Sequence, residues 1–385
     1  MKNNIPQGYK ATALGIIPQE WEIFDFDEIV EKSKERYIPN PDTHLYCIEL
    51  EHLSQGEGTL IGYTDSAEQK STKNRFQNGD VLFGKLRPYL QKYWLATFDG
   101  VCSTEIWVFH AKPNICLKEY LLRIISSYNF IQKANVSSGS KMPRAEWDYV
   151  SKIPVLVPPL AEQRKIAEVL GVWDEAIEKQ ARLIEKLALR KRALMQRLLS
   201  AKLRLPGFSE PWQKVKLGDI CNITTGKIDA NAMESNGIYP FFTCAKEIYR
   251  INKYAFDTEA LLISGNGEYV GYIHYCKGKF NAYQRTYVLD KFKANIFYVK
   301  HALQYHLPKR ILQTKSNSNT PYIVIGTLQD MIISEPSIKE QTAIAEVLTA
   351  ADREIELAKE KLERLRRQKR GLMQQLLTGK KRIKY

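Results

Sequence analysis

The sequence lacks the long apolar segments and paired cysteines that mark several large protein classes. No apolar run reaches 18 residues, and the first residues, MKNNIPQGYK, have no apolar core of a signal peptide. We therefore expect a soluble, cytoplasmic protein. The six cysteines lie far apart without a CxxC pair, which argues against a zinc knuckle and against a disulfide framework. Reduced, mostly buried thiols are expected.

Catalytic and cofactor motifs are also missing. No P-loop, GxSxG or HExxH pattern occurs, and the GNGEYVG run of Gly265–Gly271 has GxGxxxG spacing instead of that of the dinucleotide fingerprint. Asn40-Pro41-Asp42 is better interpreted as a turn than as the NPPY-like motif of an adenine methyltransferase. The six histidines show no metal-ligand spacing. We predict a non-catalytic chain that itself binds no cofactor and no metal.

What the sequence does have is positive charge, and it is concentrated in two segments. The chain has 385 residues, a formal net charge of +14 and a pI near 9.3. Residues 158–204 contain 11 basic and 6 acidic side chains, and residues 336–385 contain 13 and 7. Such segments suit contact with the phosphates of a polyanion, although a solvated helix face explains them equally well.

The same two segments are copies of each other. Residues 158–204 return as residues 336–382 without a gap, and 22 of the 47 positions are identical. A repeat of this length indicates a duplicated structural unit.

Each copy carries the start and stop signals of one long helix. Pro158-Pro159 begins the first copy, and Ser337-Ile338-Lys339-Glu340 has the capping-box pattern at the start of the second. Pro206-Gly207 and Gly379 follow as stops. The sequence therefore predicts two helices of roughly 40 residues, each about 60 Å long.

Both predicted helices have the apolar pattern of a coiled coil. Apolar residues recur in alternating steps of four and three from Ile166 to Leu198 and from Ile344 to Leu376, with Lys191 and Lys369 at matching places. We call these positions the seam. A seam of this length needs a partner. We predict that the two helices pair with each other as an antiparallel coiled coil with a pseudo-twofold axis. The alternative is two separate helices that pack on their own domains.

The regions before the helices begin and end alike but differ in the middle. Trp21 and Trp212 mark similar starts, and segments 138–143 and 316–321 share two serines and a proline. Between these edges, runs such as DVLFG, EIWVFH, ALLISG and YVGYIHY predict strands, and helices are expected near 117–132 and 294–313. We predict an α+β fold in which two domains of mixed sheet and helix are separated by the two long helices.

The domain boundaries follow from this pattern. We expect a first α+β domain at 1–150, a first long helix at 151–205, a second α+β domain at 206–330 and a second long helix at 331–385. Because the edges are shared and the centres are not, the two domains should bind different ligands on one scaffold.

Four motifs stand out along the chain: GDVLFGKLRPYLQKYWLATFDGVCSTEIWVF (Gly79–Phe109), SGSKMPRAEW before PPLAEQ, YPFFTCAKEI from Tyr239, and the repeated EQxxIAEVL helix starts. Together they resemble one family, the specificity subunits of type I restriction-modification systems, and the resemblance covers nearly the whole chain.

The resemblance implies a function and a set of partners. Each target-recognition domain would read one half of a bipartite DNA site, and the helices would set the spacer and dock two methyltransferase subunits. Restriction subunits would complete the complex on double-stranded DNA. S-adenosylmethionine, and ATP with magnesium, would be bound by those partner subunits and not by this chain.

DNA reading needs cations for phosphates and guanidinium, amide and hydroxyl groups for base edges. In the first domain the candidate DNA-binding residues are Lys85, Arg87, Tyr89, Lys92, Ser103, Thr104, Lys141 and Arg144. In the second they are Thr243, Lys246, Asn266, Tyr269, Gln284, Arg285, Lys315, Asn317, Asn319 and Tyr322. Arg87 and Arg144 have a rival role in the framework, and Tyr89 could equally lie in the core.

Two functions of other classes compete with DNA reading. One is a free-standing nuclease or methyltransferase with an unrecognised site, which activity of the purified chain would reveal. The other is a coiled-coil adaptor that binds only protein, and absence of any DNA affinity at low salt would favour it.

Overall fold

The structure is a computed structural model that describes residues 5–136, 142–313 and 322–383. The chain divides into two compact units. The first unit comprises Met1–Ala181 and Lys361–Tyr385, and the second comprises Arg182–Glu360. Each long helix contributes to both units, and the predicted α+β fold class is confirmed.

The first unit is built mainly from short strands. Its helices are α1 (Phe26–Ile29), α2 (Lys118–Ile125), α3 (Tyr128–Ala134) and α4 (Trp147–Val150). Its strands are β1 (Tyr9–Thr12), β2 (Gly15–Pro18), β3 (Glu22–Asp25), β4 (Val30–Lys32), β5 (Arg36–Tyr37), β6 (Tyr46–Ile48), β7 (Thr64–Asp65), β8 (Lys73–Phe76), β9 (Val81–Gly84), β10 (Tyr93–Leu95), β11 (Gly100–Cys102), β12 (Ile106–Ala111) and β13 (Pro154–Val157).

Two sheets form the body of the first unit. One is antiparallel with the order β10-β9-β12-β4, and the other has the order β5-β8-β11-β6-β7 with β11 parallel to β6. Alternate side chains of the central strands enter two separate cores, Val81 and Phe83 on one side and Leu82 and Val108 on the other. Because such strands are buried on both faces, their sequences are continuous apolar runs.

The second unit begins within the first long helix, α5 (Leu160–Leu198). The strands that follow are β14 (Gln213–Lys216), β15 (Asn222–Thr225), β16 (Tyr239–Phe242), β17 (Tyr249–Ile251), β18 (Phe256–Ser264), β19 (Ile273–Ala282), β20 (Thr286–Asp290) and β21 (Ile332–Glu335). The helices are α6 (Leu217–Ile220), α7 (Ile296–Gln313), α8 (Ile325–Gln329) and the second long helix, α9 (Ile338–Leu377).

One six-stranded sheet dominates the second unit. Its order is β15-β20-β18-β19-β16-β17, and β19 pairs antiparallel with β18 and parallel with β16. In the first unit two short strands take the place of the long β19. β10 pairs with β9 in one sheet, and β11 pairs with β6 in the other. The helix predicted near 294–313 is α7. The one predicted near 117–132 is divided at Ser126–Ser127, where the Ser127 hydroxyl caps α3 by accepting from Phe130 N.

The two long helices confirm the predicted coiled coil. They span 39 and 40 residues, and every seam position from Ile166 to Leu198 and from Ile344 to Leu376 is buried or half-buried. Within the first unit, the start of α5 shares a core with the end of α9. Within the second unit, the end of α5 shares a core with the start of α9. The pairing is therefore antiparallel in each unit.

A buried carboxylate holds the start of α5 in the first unit. Glu162 accepts hydrogen bonds from Trp21 Nε1 at 2.9 Å and from Arg382 Nε at 2.7 Å. Arg382 also donates to the exposed Glu20 at 2.9 Å, and its contact with Glu162 raises the pKa of the guanidinium. Arg382 thus links the segment after α9 to Glu20, between β2 and β3, and to the start of α5.

The second unit repeats this arrangement at the start of α9. Glu340 accepts from Trp212 Nε1 at 2.9 Å and from Arg204 Nε at 2.7 Å. The sequence pattern predicts that the Glu340 side chain returns to the backbone at Ser337. Instead the carboxylate is turned inward to these two donors, because a buried charge needs a charged partner more than the exposed backbone needs a cap.

Each seam lysine is paired with an aspartate of the other helix. In the first unit Asp174 lies between Lys369 and Arg123 and forms an ion pair with each. Arg123 reaches this place beside Gly171, where a Cβ would lie 3.6 Å from the guanidinium.

The second unit has the same cluster with a histidine in place of the arginine. Lys191 pairs with Asp352 at 2.5 Å. His301 stands where Arg123 stands, 3.9 Å from Asp352, and its Nε2 lies 3.1 Å from the hydroxyl of Thr349, the counterpart of Gly171. Burial, together with the charge of Lys191, lowers the pKa of His301 to about 4.

We expect the second unit to lose stability in mild acid through His301. In the unfolded chain His301 has a pKa near 6.5, so between that pH and about 4 it binds a proton that the folded residue does not bind. Through His301, the free energy of unfolding therefore stays constant above pH 6.5 and decreases as the pH falls toward about 4. The loss at pH 5 should be about 2 kcal/mol. Urea unfolding between pH 5 and 8 should show this slope, and His301→Gln should reduce it. A smaller slope should remain, because burial also lowers the pKa of His274 and of His306 in the same unit. Equal slopes for both proteins would contradict the assignment.

Candidate nucleic-acid interface

Three chain segments meet beyond the end of β9 in the first unit. The turn 85–92 connects β9 to β10, and Lys85 N donates to Glu105 O at 2.9 Å. On its other side Lys85 O accepts from Ala145 N, and Arg87 N donates to Pro143 O, both at 2.8 Å. We call segments 85–92, 103–105 and 142–145 the first loop cluster.

The second unit builds the same arrangement after β18. Gly265 N donates to Arg285 O at 2.9 Å, and Gly265 O accepts from Ile323 N at 2.7 Å. Asn266 bridges to Tyr322 as Leu86 bridges to Arg144. Segments 265–272, 283–285 and 322–323 form the second loop cluster, and its backbone hydrogen bonds match those of the first.

The two turns also share their unusual backbone angles. Arg87 and Gln91 have φ of 51° in the first cluster, and the corresponding Gly267 and Gly271 have φ of 83° and 82°. A residue with a side chain is disfavoured in this left-handed region by about 1–2 kcal/mol. The surrounding hydrogen bonds therefore fix the shape of the first turn against local preference.

The first loop cluster brings together most of the residues predicted for the first domain. Lys85, Arg87 and Lys92 are half-buried, whereas Tyr89 and Arg144 are exposed. Ser103 and Thr104 lie half-buried on the neighbouring segment. Lys141 falls outside the described residues.

The second loop cluster does the same for the second domain. Gln284, Arg285 and Tyr322 are exposed, and Asn266 and Tyr269 are half-buried. Lys315, Asn317 and Asn319 fall outside the described residues.

Thr243 and Lys246 lie on the loop that follows β16, beside the second cluster. Thr243 is buried, and its hydroxyl accepts from Ala245 N at 3.2 Å, which gives it a structural role in the loop. Lys246 is exposed. Burial lowers the pKa of His274, whose Nε2 lies 3.0 Å from Ala245 O and helps to fix the loop.

In each unit one lysine ammonium group connects the turn of the loop cluster to the segment that faces it. The lysine belongs to the turn in the first unit and to the facing segment in the second. In the first unit Lys92 reaches from the turn to the carbonyl of Leu50 on the facing loop. In the second, Lys246 reaches from the facing loop to the turn and lies 4.7 Å from the ring centroid of Tyr269 and 6.0 Å from that of Tyr272. The hydrogen bond and negative charge of Glu268 raise the pKa of Tyr269, so this ring stays a neutral phenol.

Sequence reasoning missed two residues of these surfaces. Tyr272 packs beside Lys246, and Glu105 forms an ion pair with Arg144 whose Nε to Oε2 distance is 3.0 Å. Glu105 directly follows the predicted Ser103 and Thr104, so its place in the chain was a usable signal. Tyr272 offered none, because it is one of several tyrosines near the turn.

The chemistry of both clusters is that of a binding surface. Guanidinium, amide, hydroxyl and phenol groups stand on a fixed backbone, and such groups suit base edges and phosphates. Within residues 5–136, 142–313 and 322–383, no group of three or more His, Cys, Asp or Glu side chains is arranged to hold a metal ion. None of the helices in those ranges has the length and apolar character needed to cross a membrane.

Comparison with known families gives one match over most of the chain. Residues 18–188 and 209–367 match the model of the type I restriction modification DNA specificity domain. The two matched stretches include both loop clusters and most of both long helices.

Individual relatives are similar over different lengths. The EcoDI type I restriction enzyme specificity subunit of Escherichia coli is 40% identical over 167 residues, which is 43% of this chain and 37% of that relative. The alignment thus spans little more than a third of that protein. The MjaVIII specificity subunit of Methanocaldococcus jannaschii is 22% identical over 418 residues, covering 96% of this chain and 94% of the relative.

A solved structure shows the same fold. The type I restriction-modification S subunit from M. genitalium superposes with a TM-score of 0.62 at 16% identity, over 98% of this chain and 97% of that one. At this identity the likeness concerns the fold alone.

Proposed function

Because the chain belongs to the type I restriction-modification DNA specificity family, we propose that each of its two units reads one half of a split DNA site. As a member of this family the chain is a DNA-recognition subunit and not a catalytic one. The finer assignment, one half-site for each loop cluster, is the proposal.

The observation that carries this proposal is the pair of loop clusters. Their backbone hydrogen bonds are equivalent, but the side chains that they present differ. Equivalent backbones suit a common feature of the ligand, and different side chains suit different base sequences. The ammonium groups of Lys92 and Lys246 lie beside the turn of each loop cluster, where each can contact a phosphate of its half-site.

The long helices supply further cationic surface. Exposed basic side chains recur along the second half of each helix: Lys186, Arg192 and Arg197 on α5, and Arg364, Arg367 and Arg370 on α9. We propose that they touch phosphates near the half-sites.

The domain boundaries at 150, 205 and 330 remain part of the proposal.

The partners follow from the same proposal. Two methyltransferase subunits would dock on the repeated surfaces, restriction subunits would join them, and all would act on double-stranded DNA in the cytoplasm. S-adenosylmethionine, and ATP with magnesium, would be held by those subunits.

Binding to a randomised duplex library tests the proposed function. The full chain, alone and with a co-purified methyltransferase subunit, should enrich two short motifs separated by unspecified bases, with an affinity that falls steeply with salt. Enrichment of one continuous motif would contradict one half-site per unit. No affinity at low salt would favour the protein adaptor.

We expect the helix pair to set the number of unspecified bases between the motifs. Inserting one heptad after both Ala181 and Glu360 keeps the seam in register and adds about 10 Å to the pair, which corresponds to about three base pairs. The enriched motifs should move apart by that amount. A heptad inserted only after Ala181 breaks the register and should abolish the split motif, and unchanged spacing after the matched insertion would contradict the idea.

A further inference from the structure

The first loop cluster holds an arginine that is already paired with a carboxylate. Arg144 Nε donates to Glu105 Oε2 at 3.0 Å, and the two side chains keep 48% and 28% of their surface exposed. The backbone fixes both ends of the pair, because Lys85 lies between them and bonds to Glu105 on one side and to Ala145 on the other. The guanidinium is therefore held in one orientation and is still accessible to a ligand.

The paired carboxylate decides which kind of ligand suits Arg144. A phosphate at the guanidinium would also lie within several ångströms of the Glu105 charge and would be repelled by it. A base edge carries no net charge and meets no such repulsion. Guanine offers two acceptors, O6 and N7, which match two parallel N–H groups of an arginine.

The second loop cluster shows that these two positions vary while the backbone does not. Arg285 stands in the place of Glu105, since its carbonyl accepts from Gly265 N as that of Glu105 accepts from Lys85 N. Tyr322 stands in the place of Arg144, because it bridges to Asn266 as Arg144 bridges to Leu86. The two units thus have different side chains at these two positions on equivalent backbones. This is expected of positions that distinguish two half-sites.

We propose that Arg144 is a specificity-determining residue that reads a guanine in the half-site of the first unit, and that Glu105 is the residue that positions it. The inference rests on the proposed function and adds to it the base and the residue. Arg144 contacts the base, and Glu105 acts only through Arg144.

Enrichment from a randomised duplex library, with the full chain and its methyltransferase subunit, tests the pair. Arg144→Lys keeps the charge but loses the two parallel donors, so preference for guanine at one position should fall about 5- to 150-fold. Glu105→Ala should cause a similar loss and also raise affinity for unrelated DNA at low salt, because a negative charge is removed. Glu105→Gln keeps an acceptor for Nε and should retain part of the preference. The second half-site should be unchanged in all three.

Lys246→Ala is the matched control, a cation that we assign to a phosphate. It should weaken binding to all sequences alike and reduce the salt slope by about one. If Arg144→Lys leaves the motif intact, or if Arg144→Ala behaves as Lys246→Ala does, Arg144 contacts phosphate or framework and the inference is overturned while the proposed function stands. If the unaltered chain enriches no split motif, both fail.

Discussion

Glu162→Ala should lower the free energy of unfolding of the first unit by about 3–5 kcal/mol. Glu162 and Trp21 are both 0% exposed, and the substitution removes the acceptor of Trp21 Nε1 and of Arg382 Nε together. The buried Trp21 N–H would then lack its acceptor, and Arg382 would keep only the exposed Glu20 as a partner. A buried donor without an acceptor costs more than the hydrogen bond itself contributes. Thermal unfolding should shift downward by about 6–20 °C.

Glu20→Ala is the matched control for this effect. Glu20 binds the same guanidinium, but from an exposed position, so its loss should cost about 1 kcal/mol or less. If both substitutions have equal effects, the stabilisation comes from the charge on Arg382 and not from burial of the carboxylate. Hydrogen exchange would assign the loss, which should be confined to the first unit.

Gly265→Ala should abolish recognition of the second half-site and leave the first intact. A Cβ on Gly265 would lie 2.3 Å from the carbonyl oxygen of Arg285, which is a backbone atom that no side-chain rotation can move. The first unit has Lys85 at this place, so its loop cluster leaves room there for a Cβ, whereas the second does not. The segment that carries Gln284 and Arg285 must therefore shift by at least 0.7 Å to reach the 3.0 Å at which Cβ contacts begin. Library enrichment should lose one motif, with overpacking that costs about 1–3 kcal/mol of stability.

A second substitution in the same turn separates this clash from general disturbance. Gly267 has φ of 83° and no atom within 4 Å of an added Cβ, and Asn tolerates this left-handed region better than most residues. Gly267→Asn should therefore keep both motifs. The first unit has Arg87 at this place, which shows that the turn accepts a side chain. If Gly265→Ala also keeps both motifs, the hydrogen-bonded backbone of the second loop cluster is less important for DNA recognition than we infer.

The long helices could be predicted because their information is local. The seam, the repeat and the caps are patterns of neighbours along the chain, and they predicted both helix starts and the end of α9 to within two residues. The end of α5 was predicted less well, because the helix ends at Leu198, before the Pro206-Gly207 stop. The capping box at Glu340 is a local pattern that misled. The Glu340 carboxylate bonds instead to Trp212 and Arg204, which lie 128 and 136 residues away in the sequence. Burial of a side chain by such distant groups cannot be recognised from the neighbouring residues.

The candidate sites could be predicted only as groups of residue types. Polar and basic residues beside predicted strands indicated segments that the structure brings together in the two loop clusters. The pairing of Arg144 with Glu105 depends on the bridge between two segments that are far apart in sequence. The same composition would have allowed Arg144 to bind a phosphate, so only the geometry distinguishes the two roles.

The division of the chain has a consequence for how the protein is made. The second unit, Arg182–Glu360, is continuous, whereas the first unit needs Met373 and Leu376 from the last helix to complete its core. At about 5–20 residues per second, the ribosome finishes residues 361–385 some 1–5 s after residue 360. We therefore expect the unit that is translated first to complete its core last, with the apolar face of the start of α5 left uncovered by α9 during that interval.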